Sequence, residues 1–183
     1  NGIFYKTIEY PEFKPKFYVV EDQAVMRDNV AEINKYKCEY NFFPSNYKPK
    51  INDFNNTYFF NLNRGFYEKR SIFFEFPRFS PDCSRRIYSG QSVTIINLQL
   101  AYYFGFKEVY LIGMDFNYEK TGTEIISGNE LLSQEDDINH FHPDYFGKGK
   151  TWHDPKLDNV MKSYLLSKAI YEMDGRKIYN STV

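Results

Sequence analysis

The sequence predicts an α/β fold: a doubly wound, Rossmann-like, mostly parallel sheet carrying an irregular lid insertion. Three observations predict it. Apolar runs such as "KFYVVED" (16–22) and "KEVYLIGMD" (107–115) read as buried strands that end in carboxylates. Stretches with helical spacing alternate with them, as in stacked strand-helix-strand units. Between the last two such units, residues 117–152 hold no strong periodicity and many Gly, Asn, Asp and His. So long an irregular segment inside a compact domain is usually functional or mobile.

The elements follow in order. After the strand at 16–22, "DQAVMRDNVAEINKY" (22–36) repeats Val25, Met26, Val30 and Ile33 at helical spacing, with Asp22 placed to cap the first turn. "CEYNFF" (38–43) reads as the next strand and "SNYKPKINDFNN" (45–56) as turns. "TYFFNL" (57–62) and "SIFFEF" (71–76) are strand-like, and "NRGFYEKR" between them suggests a hairpin. A loop, "PRFSPDCSRRIYSGQ" (77–91), leads to a helix starting near Ser92. Its stripe is Val93, Ile96, Leu100 and Phe104, and Gly105 stops it. The strand at 107–115 is apolar on both faces. Asp154 at the N-cap and Pro155 at the first helical position open the final helix, whose expected buried stripe is Leu157, Val160, Met161, Tyr164 and Leu165. Asp174-Gly175 ends it before a short strand, "RKIYN". The chain of 183 residues has no internal repeat and no low-complexity linker, so a single domain over 1–183 is expected.

Composition narrows the function. The formal charge of -1 offers no bulk attraction to nucleic acid or to an anionic membrane, so an anionic ligand must be held by local groups. Aromatic residues at 20% fit a coding bias toward Phe, Tyr, Asn, Lys and Ile, or an aromatic carbohydrate surface. Cys38 and Cys83 stand outside any CxxC spacing, as in a reduced cytoplasmic protein. There is no apolar run long enough to span a membrane and no secretory signal. The chain opens on Asn1 and runs straight into a strand-like "NGIFY", which suggests an excerpt of a longer protein.

In an open α/β sheet, ligands gather beyond the carboxyl ends of the strands. Three such places are visible: Glu21-Asp22, the 89–92 loop feeding a helix N-terminus, and Asp115 with Asn117 and Tyr118. A helix N-terminus offers unpaired N–H groups and partial positive charge, which suit phosphate, although Ser92 could simply cap its helix. No GxGxxG or GxxxxGK[ST] loop is present. "INHFHPDYFGKGKTWHDP" gathers His140, His142 and His153. His140 and His142 with Asp144 or His153 could ligate zinc, or His153, just before a helix start, could be a neutral general base. A hydrogen-bonded loop histidine is the plainer alternative.

The order of these pieces resembles a known group. "A-x3-G-F-K-E-V-Y-L-x-G-M-D-F" (101–116), an irregular segment, and H-x4-D (His153, Asp158) opening the last helix are similar to the bacterial sialyltransferases of glycosyltransferase family 42. They also resemble the related domain family named after a hydroxymethylpterin diphosphokinase, the MptE-like proteins. The resemblance covers nearly the whole chain but not the family's opening strand and Gly-rich loop. It implies the following for function. Asn1 contacts a nucleotide-sugar donor, Glu21 or Asp22 lies near another donor contact that is normally Asn, and Ser92 and Thr94 bind the donor at a helix start. Asn117 stands where the family has a Tyr supporting the leaving phosphate, with Tyr118 as its substitute. His153 is the catalytic base, residues 117–152 are a lid, and Asp115, His140 and Tyr145 join the substrate site.

The implied activity is transfer of an acidic sugar, sialic acid or a relative, from a CMP-activated donor to a cell-surface glycan. The donor is a substrate, and neither a cofactor nor a metal is required. The implied partners are the nucleotide-sugar donor and the glycan acceptor, with no nucleic acid. The expected place is the cytoplasm, at the inner face of the membrane if missing segments bind there. The resemblance implies a homo-oligomer, with the Phe/Tyr-rich strands at 57–76 as its contact surface or, alternatively, as core. The alternatives are a Mg-dependent, ATP-using diphosphokinase, with Asp115 and Asp136 or Asp137 as ligands, and a non-catalytic nucleotide-sugar binding module.

Overall fold

The computed structural model describes residues 10–116, 123–127, 130–140, 142–154 and 156–182. Its elements, in chain order, are β1 (Phe17–Val19), α1 (Gln23–Lys35), β2 (Tyr40–Pro44), a 3-10 helix (Ser45–Lys50), β3 (Thr57–Phe60), β4 (Leu62–Asn63) and β5 (Ile87–Tyr88). They continue with α2 (Val93–Tyr103), β6 (Glu108–Leu111), β7 (Thr123–Ser127), β8 (Glu130–Ser133), β9 (Thr151–His153), α3 (Leu157–Met173) and β10 (Lys177–Asn180). This is a mixed α/β chain. The expected continuous doubly wound sheet is not what the described residues form. They make four small sheets, ordered β1-β2-β3, β6-β10, β4-β5 and β7-β8-β9. Parallel pairing does hold at β1 with β2, β4 with β5 and β6 with β10.

The chain divides into two compact units, one of residues up to 59 plus 117–154, the other of residues 60–116 plus 155–183. In the first, α1 lays Val25, Met26 and Ile33 against Tyr18, Val20, Phe43, Tyr47 and Ile51, the stripe expected from its spacing. The insertion is more ordered than expected. β7, β8 and β9 form an antiparallel sheet, with Glu130 opposite His153 and Leu131 opposite Trp152. The sequence hid it because these strands are short and Thr/Ser-rich and carry little period-2 hydrophobicity.

In the second unit, Ile95 and Leu98 of α2 and Tyr171 of α3 form a core on which Val109, Leu111 and Ile178 pack. Three expectations are corrected here. The buried face of α3 is Val160, Ser163, Ser167 and Tyr171, while Met161 and Leu165 are exposed. Small serines along that face admit a close neighbour: a Cβ on Gly90 would stand 3.1 Å from Ser163 Oγ and 2.8 Å from Ile95 Cγ2. α3 also starts later than expected, at Leu157, with Lys156 at the N-cap position and no side-chain cap, because β9 keeps the backbone extended through His153. The buried residues of α2 are Ile95, Ile96, Leu98, Gln99 and Leu100, and Phe104 is exposed. Gln99 explains the shift, since its amide accepts from the N–H groups of Ser80 and Tyr88 and donates to Tyr88 O, tying the loop to the helix.

Two further strands differ. The hairpin of 57–62 with 71–76 does not form, because residues 64–76 fold into successive turns. Arg78 stacks over Phe73 at 4.0 Å and over Tyr88 at 4.3 Å, so the Phe-rich run is used locally and not in a ladder. β6 is shorter than the expected strand, and one face is open, with Tyr110 and Ile112 exposed. Among the described residues, no helix is long and apolar enough to cross a membrane.

Candidate functional site

Asp22 sits at the N-cap of α1 in an extended conformation, as its sequence position predicts. One carboxylate oxygen, Oδ1, accepts from the N–H groups of Ala24 at 2.7 Å and Val25 at 3.0 Å. The other, Oδ2, lies 3.0 Å from Nδ1 of His153, the last residue of β9. The ring's other nitrogen, Nε2, forms no hydrogen bond with the described residues, and the side chain is 37% exposed. An imidazole oriented through Nδ1–H with Nε2 open is the arrangement of an acid-base histidine.

The electrostatics agree with the geometry. The hydrogen bond to Asp22 raises the His153 pKa above its ordinary value, against the opposing effect of burial, and the charges of Asp22, Glu130 and Glu21 add to it. Burial pushes Asp22 up, but the bond from His153, the Val25 N–H, the His153 charge and the Ala24 N–H together hold it below the usual carboxylate range. A following helix dipole would favour the neutral ring, whereas the carboxylate beside it favours the protonated one. The bond to Asp22 is the largest influence on the ring.

Glu21 is buried, and its carbonyl accepts from the Tyr47 hydroxyl at 2.6 Å. His140 and Tyr145 do come together. Their rings stack in parallel at 4.3 Å, and His140 Nδ1 lies 2.7 Å from Asp137 Oδ2. Asp137 also accepts from the N–H groups of Asn139 and Phe146. His142 Nδ1 accepts from the Asp144 N–H. Among the described residues, no three His, Cys, Asp or Glu side chains gather as a metal site, which corrects the zinc reading of this segment.

The remaining candidates lie in the second unit. Ser92 caps α2, its hydroxyl accepting from the Thr94 N–H at 3.2 Å. Gln91, just before it, has φ 70, a left-handed conformation unusual for a side-chain-bearing residue. Thr94 donates to Met114 Sδ at 3.4 Å, and the Tyr164 hydroxyl donates to the same sulfur at 2.9 Å. Tyr164 is a polar group the sequence concealed, because it stands in an apolar stripe. Asp115 is exposed. Asn1, Asn117 and Tyr118 lie outside the described residues. The sequence also gave no sign that Asp22 would be the partner of His153, since the contact spans 131 residues.

Residues 4–121 match the model of the family described as 6-hydroxymethylpterin diphosphokinase MptE-like, more than half of the chain, and the chain belongs to that family. Asp22, Ser92 and Thr94 fall within the match, and His153 lies beyond it. Compared with curated proteins and with solved structures, the chain matches none.

Proposed function

We propose that this member of the MptE-like family is a nucleotide-dependent transferase in which His153, oriented by Asp22, takes the proton from an acceptor hydroxyl. The observation that carries the reading is the 3.0 Å contact between His153 Nδ1 and Asp22 Oδ2. Asp22 holds the ring in the Nδ1–H tautomer and stabilises the imidazolium that forms when Nε2 accepts the proton. Because the histidine pKa is raised, the basic form grows in at a higher pH than for a free histidine.

The finer reading takes a CMP-activated acidic sugar as donor. The acceptor oxygen forms a bond to the anomeric carbon, the bond from that carbon to the phosphate oxygen breaks, and CMP leaves with the electron pair. The proton goes to His153. Ser92 and Thr94, at the start of α2, are proposed donor contacts because N–H groups and hydroxyls there offset negative charge. Tyr164 adds a third hydroxyl there, and Asn1, Asn117, Tyr118 and Asp115 remain proposed donor contacts. His140 and Tyr145 offer a stacked ring pair for substrate.

A second reading, diphosphoryl transfer from ATP, is favoured by the family's description. Its chemistry also needs a hydroxyl deprotonated, here for attack on the β-phosphorus with AMP leaving, so the same dyad serves. Donor consumption separates the two. The protein is incubated with CMP-sialic acid and a glycan acceptor, or with ATP, Mg²⁺ and 6-hydroxymethylpterin, and release of CMP or AMP is followed. His153→Gln is expected to lower the productive reaction by about two to four orders of magnitude, with donor affinity kept. Turnover unchanged in that variant would refute the base assignment.

A further inference from the structure

We infer that Asp28 and Lys150 are positioning residues that seat β9 along α1 and so bring His153 to Asp22; the inference deepens the proposed function and rests on His153 being its base. The seat is built from directed bonds. Asp28 Oδ2 accepts from both the N–H and the hydroxyl of Thr151, at 3.1 and 2.7 Å. Lys150 Nζ donates to Asn29 Oδ1 at 2.8 Å. Asn29 departs from helical geometry, with φ -130 and ψ 20, and its amide nitrogen donates back to Val25 O at 3.0 Å. The kink turns a buried amide oxygen toward the lysine.

The spacing fits a two-point attachment. From Asp22 to Asp28 the helix advances roughly 9 Å at 1.5 Å per residue. From Thr151 to His153 the strand advances roughly 7 Å. Thr151 and His153 lie on one face of β9 because they are two residues apart. Fixing Thr151 to Asp28 therefore delivers His153 to Asp22 along the same helix, in the opposite direction of travel. Arg27 braces the arrangement. Its guanidinium donates to Asp28 Oδ1 and Glu130 Oε1, each at 3.0 Å, and reaches the Thr151 hydroxyl. Glu130 is the residue opposite His153 in the β8–β9 ladder. The Asp28 carboxyl is pushed up by burial, yet its bonds from Thr151 and Arg27 outweigh that and hold it below the usual range, as for a carboxylate engaged in the folded state.

The test reads the ring directly, in the whole chain, by NMR titration of His153 with resonances assigned from His153→Gln. Asp22→Asn sets the endpoint for a ring without its carboxylate. Asp28→Asn and Lys150→Met are expected to move the His153 midpoint part of the way from the wild-type value toward the ordinary histidine value of about 6.5. Thr151→Val removes the hydroxyl but keeps the N–H bond, so a smaller shift is expected. Lys150→Arg should restore the wild-type midpoint. Lys37→Ala, which removes an exposed ion pair with Asp53 on the same unit, should leave it unchanged. Wild-type midpoints in Asp28→Asn and Lys150→Met alike would overturn the inference. If Asp28→Asn fails to fold, Lys150→Met and Thr151→Val carry the test. The two readings fail separately: full activity in His153→Gln sinks the function and leaves the seat standing, whereas an unmoved ring in the seat variants sinks the seat alone.

Discussion

Two helix starts in this chain carry the same local signal and meet different partners. α1 is capped by Asp22 and α2 by Ser92. Both offer the N–H groups and positive end that favour an anion. At α1 the anion is already supplied by the protein. Asp22 uses one oxygen for two N–H groups and the other for His153, so that terminus has become the fixed half of an acid-base pair. At α2 the cap is neutral, and the groups around it are hydroxyls and a thioether from Thr94, Tyr164 and Met114. The charge of the cap therefore separates a terminus that holds a histidine from one whose cap is neutral.

The sharpest break of the comparison is in catalysis. Asp22→Asn keeps a capping oxygen but removes the charge facing His153. Turnover is expected to fall roughly a hundredfold, the scale of a misplaced reacting group, and the apparent pKa of the rising limb should drop toward that of an ordinary histidine. Ser92→Ala should leave that pKa unchanged and raise the donor KM instead. Steady-state kinetics across pH distinguish the outcomes, and a matching pKa shift in Ser92→Ala would erase the contrast.

The second effect is on packing and belongs to α2 alone. Gly90→Ala places a methyl 2.8 Å from Ile95 Cγ2 and 3.1 Å from Ser163 Oγ. Both neighbours are buried, so the strain has little room to relax. A loss of about 1–3 kcal/mol is expected from urea midpoints at constant m. No glycine stands at the start of α1, so this constraint does not arise there.

How much of this was legible in the sequence follows from the range of the forces. The caps by Asp22 and Ser92, the stripe of α1 and the stop at Gly105, which takes φ 85, are set within a few residues, and the sequence showed them. The face of α3 was missed because Ser163 and Ser167 are buried for their smallness, not their hydrophobicity. The strands β7 to β9 were missed because their register comes from cross-strand and strand-to-helix bonds, such as Thr151 with Asp28. His153 was visible as a candidate from its H-x4-D setting, but its partner was not, since nothing local links residues on α1 and β9.

The smallest effect tests the pair through stability. His153 has a raised pKa in the folded state, so its contribution is full below its unfolded value of about 6.5 and is lost as pH rises through the folded one. Asp22 has a lowered pKa, so its contribution is full above about 3.9 and is lost as pH falls through the folded value. The bond is therefore strongest between about pH 4 and 6.5. In that window wild type should exceed His153→Gln by about 1 kcal/mol or less, since an ion pair this open to solvent is screened. The gap should close toward alkaline pH in wild type and be flat in Asp22→Asn. Ser92→Ala should cost about 1 kcal/mol at every pH, the ordinary worth of a cap, because no titrating partner faces its hydroxyl near neutrality. A pH-dependent loss at Ser92, or a pH-independent one at Asp22, would mean that the charge of the cap is not what divides these two helix starts.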